Sequence, residues 1–585
     1  MNSIDKIASR KATQCVVTLV AILSMEQCSG FQSSIGLIPQ THTDTTRTLC
    51  RRKMVFSGRE EAVRKFRRDG DNDNNKLIRA SVESTKQSQT LDIESSSLWE
   101  QLNEKIGSVS EERLIHPELG SREVPRLFSN IQYKRNTDDG TDNIGESKVM
   151  AMHAAGSTLG AAALVAGTTI GAGVLALPAA TVSSGFLPST GALILSWVYM
   201  TISGLLLAEL SLNRIAETGR PGSGILDLYN RYLGENTRWL GSAAYFFLHY
   251  VVMTAYISQG GSNLASLMGA YGVSSQAGQT LFAVTSGSFL YLASQKQAEK
   301  VNNLLVFGVF ATFLGLVACG VPTVNFAELV SSTHTHPENV LSAAPILFLS
   351  LVYQNIVPTV VNQLEGDRTK IMKAIIGGTF APLIMFIMWN AIILGNVYGG
   401  DAANEIALAT GSLNAVQLLE QSAAAAGEGA VAQQILPGLV SAFSELALIT
   451  SLIGFVYGLV NAWSDVLKVT PSEENKWKPL LFGAALAPPL AVSLTNPDIF
   501  LDALNYGGAF GVSTLFLFLP PLMAWKSRYT DVDQPIATLP LVPFGKIPLG
   551  SLYKASATLI IEQGLEKLGV FEWVKEHVGL EWLNL

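Results

Sequence analysis

From Ser157 onward the chain is a succession of apolar stretches separated by short polar ones. Ten of them, 158–181, 188–211, 239–262, 276–293, 302–320, 342–362, 372–396, 435–463, 479–495 and 499–525, are each long enough as a helix to cross a hydrocarbon core about 30 Å thick. The pattern predicts an all-α polytopic membrane protein. Residues 69–150 differ: they mix both charges with Ser, Asn and Asp and keep no sustained apolar period, which predicts a disordered linker.

The cations test this assignment, because loops on one membrane face collect Lys and Arg. Arg214, Arg220, Arg231 and Arg238 follow the second span; Lys296 and Lys300 the fourth; Arg368, Lys370 and Lys373 the sixth; Lys468, Lys476 and Lys478 the eighth; Lys526 and Arg528 the tenth. The opposite loops, 182–187, 263–275, 321–341, 397–434 and 496–498, hold no Lys or Arg. Ten spans with the bundle's N-terminus on the basic side account for this. A candidate eleventh, Pro548–Val570, is interrupted by Lys554, Glu562, Glu566 and Lys567. It fits an interfacial amphipathic helix about as well as a span, so 531–585 is read as a C-terminal tail.

Composition sharpens the division. The 585 residues are 15% charged against about 25% in soluble domains, and residues 1–150 hold 22 of the 40 Lys/Arg and 21 of the 47 Asp/Glu. Within that leader, Lys6, Arg10 and Lys11 precede the apolar run Cys15–Met25 and the small residues Cys28-Ser-Gly30. This is the three-part plan of a signal peptide, 1–30. Residues 31–68 are basic and Ser/Thr-rich, as transit peptides are. Together, with Phe31 after Gly30, they resemble the two-part plastid presequence of algae with secondary plastids. That predicts the plastid inner envelope; an unprocessed tail on a plasma-membrane protein is the other reading. Cys319 stands alone in 151–585, so no disulfide framework or zinc spacing arises there.

Two spans carry unusual residues. The first reads Val165-Ala-Gly-Thr-Thr-Ile-Gly-Ala-Gly-Val-Leu-Ala-Leu-Pro178. Gly167, Gly171 and Gly173 beside Thr168 and Thr169 permit a mid-membrane break, whose freed backbone groups must line a cavity or bind something. Helix packing is the competing reading, since Gly167 and Gly171 form a small-xxx-small motif. In the sixth span Tyr353, Gln354 and Asn355 precede Pro358, which removes a backbone donor. Spans one and six each open a set of five, and two such sets have opposite topology. Interrupted helices at matching positions of inverted repeats point to a midplane substrate site.

The span-one run resembles the first span of the hydroxy/aromatic amino acid permease family, which includes tyrosine-specific permeases and belongs to the amino acid–polyamine–organocation superfamily. The resemblance continues through Ala255–Ser258, Val357-Pro358, Glu365-Gly366, Ser444–Gly454, Asp465 and Leu519–Arg528, covering most of 151–530. It implies a LeuT-like, five-plus-five inverted-repeat transporter bundle and proton-driven uptake of aromatic amino acids, tyrosine or tryptophan. Family members carry a His before the Val-Pro of span six, where this chain has Tyr353-Gln354-Asn355.

On that reading the substrate carboxylate meets backbone amides at Gly171 and Gly173, where a half-helix N-terminus begins. Thr168 and Thr169 add hydroxyls, carbonyls of the breaks with Tyr353 or Asn355 suit the ammonium, and Gln354 is counted with them at the substrate site. Phe348 or Tyr256 supplies an apolar slot. Glu445, an acid inside span eight, is the proton-coupling candidate. His249 is read as packing, and Glu209 and Asp465 as ion-paired. No catalytic set, cofactor motif, metal site or nucleic-acid signature appears, so the expected partners are an amino acid, a coupling proton or sodium ion, and the bilayer. The alternatives are a carrier of another neutral amino acid with different ion coupling, and a non-transporting amino acid sensor or assembly protein.

Overall fold

The computed structural model describes residues 133–135, 149–151, 156–171, 173–218, 224–234, 237–398, 431–469, 473–531, 536–543 and 545–570. The expected signal peptide and transit segment lie outside these residues, as does most of the linker. Inside the linker's span, β1 (Tyr133–Arg135) and β2 (Val149–Ala151) pair antiparallel, a short ladder that the lack of an apolar period did not announce.

The rest is helical. Span one is two helices, α1 (Thr158–Thr169) and α2 (Gly173–Thr181), bent by 54° at the break. Then follow α3 (Phe186–Thr218), α4 (Ile225–Leu233), α5 (Arg238–Leu267), α6 (Ser275–Leu292) and α7 (Gln295–Gly320). Span six is also divided, into α8 (Val340–Ser350) and α9 (Val357–Gln363). The chain continues through α10 (Arg368–Val397), α11 (Val431–Leu467), α12 (Glu474–Thr495), α13 (Phe500–Tyr506), α14 (Leu519–Trp525) and α15 (Lys546–Lys567). Between α13 and α14 the helix widens to π geometry over Gly507–Phe518, an uncommon departure over so many residues.

Polar residues in the loops start several helices as their chemistry dictates. Ser157 Oγ accepts from Gly160 N at 2.9 Å, and Asp367 Oδ1 from Lys370 N at 3.0 Å, each meeting a first-turn donor without a helical partner. Ser294 and Gln297 form a capping box at α7.

Among the described residues, eight helices are long and apolar enough to span a bilayer, and the bent pair α1–α2 makes a ninth. The expected fourth span is a helix, α6, but is not one of these; Gln276, Gln279, Thr280 and Thr285 dilute its apolar character. The candidate eleventh, α15, is likewise a helix outside that set. It docks on the bundle: Tyr199 Oη donates to Leu552 O at 2.8 Å, and the rings of Phe518 and Tyr553 lie 4.9 Å apart.

One buried ion pair ties distant segments at the basic end. Arg528 Nε donates to Glu209 Oε1 at 2.7 Å, with the two side chains 1% and 4% exposed. Glu209 also accepts from Leu541 N at 2.9 Å, Asn213 Oδ1 accepts from Ala537 N at 2.8 Å, and Arg368 donates to Pro540 O at 3.1 Å. The ion pairing expected of Glu209 is thus present, and it holds the buried strap around 536–542 against α3 and α10. Removing one partner leaves an uncompensated buried charge. Arg528→Met is expected to destabilise the protein by about 3–5 kcal/mol, read as a lower melting temperature in detergent. The double variant Glu209→Gln/Arg528→Met should recover part of the loss.

Candidate functional site

The two breaks lie against each other. A Cβ on Gly173 would fall 2.6 Å from Ser350 Cα, so the start of α2 meets the end of α8 backbone to backbone. Around this junction is a cavity of about 980 Å³. Its walls come from α1 and α2 (Gly167, Thr168, Thr169, Gly171, Gly173), α5 (Tyr245, His249, Tyr256), the span-six break (Ser350, Asn355) and α11 (Ser451, Phe455, Gly458).

The lining gives the cavity a direction. Gly160 near the start of α1, Asn302 and Asn303 near the start of α7, Gln363 at the end of α9 and Asn461 near the end of α11 also line it. All four places lie toward the helix ends that adjoin the basic loops, so the cavity extends toward the basic side. On the side away from the basic loops, the α2–α3 turn is tied to the segments before α8 and after α10. Ser184 O accepts from His336 N at 2.9 Å, Ser183 O from Asn339 Nδ2 at 2.9 Å, and Val182 O from Tyr398 Oη at 2.9 Å. Gly185, at φ +85, sits so close to the His334 carbonyl that no Cβ fits.

The five span-one residues expected at the site all line the cavity. Thr168 Oγ1 and Thr169 Oγ1 each donate to the carbonyl four residues earlier, Leu164 and Val165, at 2.8 Å. Their protons are therefore used, and their oxygens remain acceptors. Gly171 faces α11: a Cβ there would meet Ser451 Oγ at 3.0 Å and Tyr256 Oη at 3.6 Å. At Gly167 a Cβ would meet nothing within 4 Å, so that glycine keeps the cavity wide rather than permitting the break.

The span-six trio divides. Asn355 lines the cavity, and its Oδ1 is buried with no hydrogen-bond partner among the described residues. Tyr353 and Gln354 turn the other way. Tyr353 Oη and Gln354 Nε2 both donate to Met200 O on α3, at 3.1 and 3.2 Å, and Gln354 Oε1 accepts from Tyr353 N at 3.0 Å. Both side chains anchor the break to α3 and do not line the cavity, contrary to the expected grouping. Successive residues of a tight turn point about 120° apart, so three in a row cannot share one face.

Glu445 also lies off the cavity, in a polar cluster between α5 and α11. Gln259 Nε2 donates to Asn263 Oδ1 at 2.8 Å, and Asn263 Nδ2 donates to Ser444 Oγ at 3.1 Å and to Glu445 Oε2 at 3.2 Å. Of the two aromatics expected in a slot, Tyr256 lines the cavity, whereas Phe348 packs edge-on against Tyr199 at 5.8 Å. His249, read from the sequence as packing, stands in the wall. It stacks on Tyr245 at 3.9 Å and lies 4.8 Å from Phe455. A signal for it was present: Tyr245, His249, Val252 and Tyr256 recur at the spacing of one helix face. The small stripe Thr450, Gly454, Gly458 and Asn461 on α11 has the same period and was equally legible.

The Gly173 contact allows little adjustment, because the facing atoms are backbone. Gly173→Ala is expected to cost about 1–3 kcal/mol by overpacking. Gly167→Ala should leave stability unchanged or raise it by up to ~1 kcal/mol through helix propensity. Melting temperatures of the two purified variants in detergent check the contrast.

The family model of the tryptophan/tyrosine permease family matches residues 154–541. The tyrosine-specific transport system 1 of Haemophilus influenzae is 29% identical over 387 residues, covering 65% of this chain and 90% of that protein. The tryptophan-specific transport protein of the same organism is 29% identical over 384 residues, covering 64% of this chain and 88% of its own length. Among solved structures, MhsT in complex with L-phenylalanine superposes with a TM-score of 0.50 at 14% identity, over 71% of this chain and all of that one; this likeness shows a shared fold. With two divided spans meeting at one cavity, and a family match running from just before α1 to beyond the tenth apolar stretch, the chain belongs to the tryptophan/tyrosine permease family.

Proposed function

We propose that the protein is a secondary active transporter of aromatic amino acids, tyrosine or tryptophan, working by alternating access around the broken spans one and six of a five-plus-five inverted repeat. One observation carries the reading: the cavity at the two breaks is walled by aromatic and aliphatic side chains and neutral polar groups, with no Asp, Glu, Lys or Arg among the described residues that line it. Such a site suits a zwitterion with an aromatic side chain. The N-terminal end of α2, near Gly171 and Gly173, offers partial positive charge to the carboxylate. The oxygens of Thr168, Thr169 and Ser451 and the unpartnered Asn355 Oδ1 suit the ammonium, which only donates. The tyrosine- and tryptophan-specific names of the bacterial relatives support the substrate class.

Glu445 is proposed as the proton-coupling group. It is the acid in the α5–α11 cluster, and Asn263 Nδ2 donates to its Oε2 whether or not the other oxygen holds a proton. On this proposal a proton bound there favours one arrangement of α11 against α5. The leader supports a plastid inner envelope location in an alga, while the bacterial relatives support a cell membrane. A fluorescent protein fused behind residues 1–68 and expressed in such an alga decides: plastid fluorescence is expected, and a cell-surface signal removes the plastid reading.

The transport proposal is tested in proteoliposomes with labelled tyrosine and tryptophan under an imposed pH gradient. Uphill accumulation is expected with the proton gradient. Accumulation driven only by sodium would replace the coupling ion, and no uptake of either amino acid under any gradient would remove the reading. Gly171→Leu, which fills the gap toward Ser451 and Tyr256, should abolish uptake while the protein still inserts. Glu445→Gln should lose gradient-driven accumulation but keep tyrosine-for-tyrosine exchange.

A further inference from the structure

The cavity wall on α5 has a polar end that the proposed handling of the carboxylate and ammonium leaves unused. His249 is 2% exposed, and its Nδ1 lies 2.8 Å from the Tyr245 carbonyl oxygen. A carbonyl has no proton to give, so in the neutral ring Nδ1 carries the hydrogen and Nε2 is left as an acceptor. Among the described residues, neither His249 Nε2 nor the Tyr245 hydroxyl has a hydrogen-bond partner. Both converge on the same spot across the cavity edge: a Cβ placed on Gly458 would lie 3.1 Å from His249 Nε2 and 3.1 Å from Tyr245 Oη. The missing side chain at 458 is what leaves these two atoms uncovered.

The position of that spot matters. Gly458 is two turns along α11 from Ser451, about 10 Å at 1.5 Å per residue, and Ser451 is the residue that faces Gly171 at the span-one break. An amino acid held by its charged groups at the break, with its side chain directed along α11 toward the basic side, passes the rings of Tyr256 and Phe455. The far end of an aromatic side chain then arrives beside Gly458.

We infer that His249 is a specificity-determining residue: its Nε2, beside the Tyr245 hydroxyl and above Gly458, accepts the ring-borne proton of the substrate. The phenol O–H of tyrosine and the indole N–H of tryptophan each supply one donor there, and phenylalanine supplies none. A site built around a buried acceptor discriminates against the ligand that leaves it unpaired. The selectivity therefore lies on α5 and α11, away from the broken helices. This inference rests on the transport reading given above.

The test is competition of tyrosine, tryptophan and phenylalanine against labelled tyrosine uptake in proteoliposomes, repeated with labelled phenylalanine. Wild type is expected to prefer tyrosine and tryptophan over phenylalanine. His249→Leu removes the acceptor and should reduce that preference roughly tenfold or more. His249→Gln, which returns an oxygen or nitrogen near the Nε2 position, should restore part of it. Gly458→Ala leaves the histidine in place but covers Nε2 and the hydroxyl, and should reduce the preference in the same direction. A monodisperse detergent-solubilised peak for each variant reports folding. Wild type that takes up aromatic amino acids without preference, or folded Leu and Ala variants that keep the wild-type ratio, would overturn this assignment alone. Wild type that takes up none of the three overturns the transport reading, and the inference with it.

Discussion

Everything at the centre of this protein depends on a backbone contact that admits no side chain. Gly173 at the start of α2 lies against the backbone of Ser350 at the end of α8. Each of these helices ends or begins at a break, and a break inside a membrane frees amide and carbonyl groups that lipid cannot satisfy. Pressing the breaks together puts the freed groups in one place, shielded by protein and facing one cavity. A methyl group at 173 would push the half-helices apart and separate the two sets of groups.

That contact needs support from outside. Tyr353 and Gln354 supply it for span six by sharing the Met200 carbonyl on α3, and Gly204 on α3 makes room for the Tyr353 ring. Two of the residues that looked most like ligands in the sequence therefore fix the turn that brings Asn355 to the cavity. Pro358 fits the same arrangement: it sits in the first turn of α9, where its missing N–H costs nothing. On the side away from the basic loops, hydrogen bonds tie 182–184 to His336, Asn339 and Tyr398, while the buried Glu209–Arg528 pair ties the basic ends of α3 and the tenth stretch.

The sequence revealed the parts of this structure that repeat and hid the parts that depend on single directions. Apolar length and the one-sided placement of Lys and Arg located the helices, because both properties are summed over many residues. The span-one break was legible because three glycines in seven residues are a backbone property. The sixth break was legible as a place but not as a geometry: Tyr353, Gln354 and Asn355 are adjacent in sequence, and only the turn decides that Asn355 faces the cavity while its neighbours face α3. The helix face that carries His249 was legible from its period, but what that face borders was not. The surroundings of His249 are apolar or aromatic along the chain, and its role as wall follows from Gly458, more than two hundred residues away. The polar residues of α6 lowered the signal of a helix that the charge pattern requires.

The uncharged lining constrains what can pass and how it can be driven. In a low-dielectric site an unpaired charge is costly, whereas the partial charges at helix ends, about half a unit each, suit the two ends of a zwitterion. An amino acid with an ionised side chain would bring a third charge with no partner in the wall. Among the described residues that line the cavity no carboxylate is available to a coupling proton, so under the proposed mechanism the proton acts from elsewhere. Glu445 and Ser451 are on one helix, six residues or about 9 Å apart. Ser451 Oγ lies 3.0 Å from the place a Gly171 Cβ would occupy, and Glu445 is held to α5 through Asn263. Under that proposal a change of charge at Glu445 would act on how α11 seats against α5, and a movement of α11 would alter the gap at Gly171. Substrate and proton would then be linked through the position of a rigid helix, with no direct contact between them.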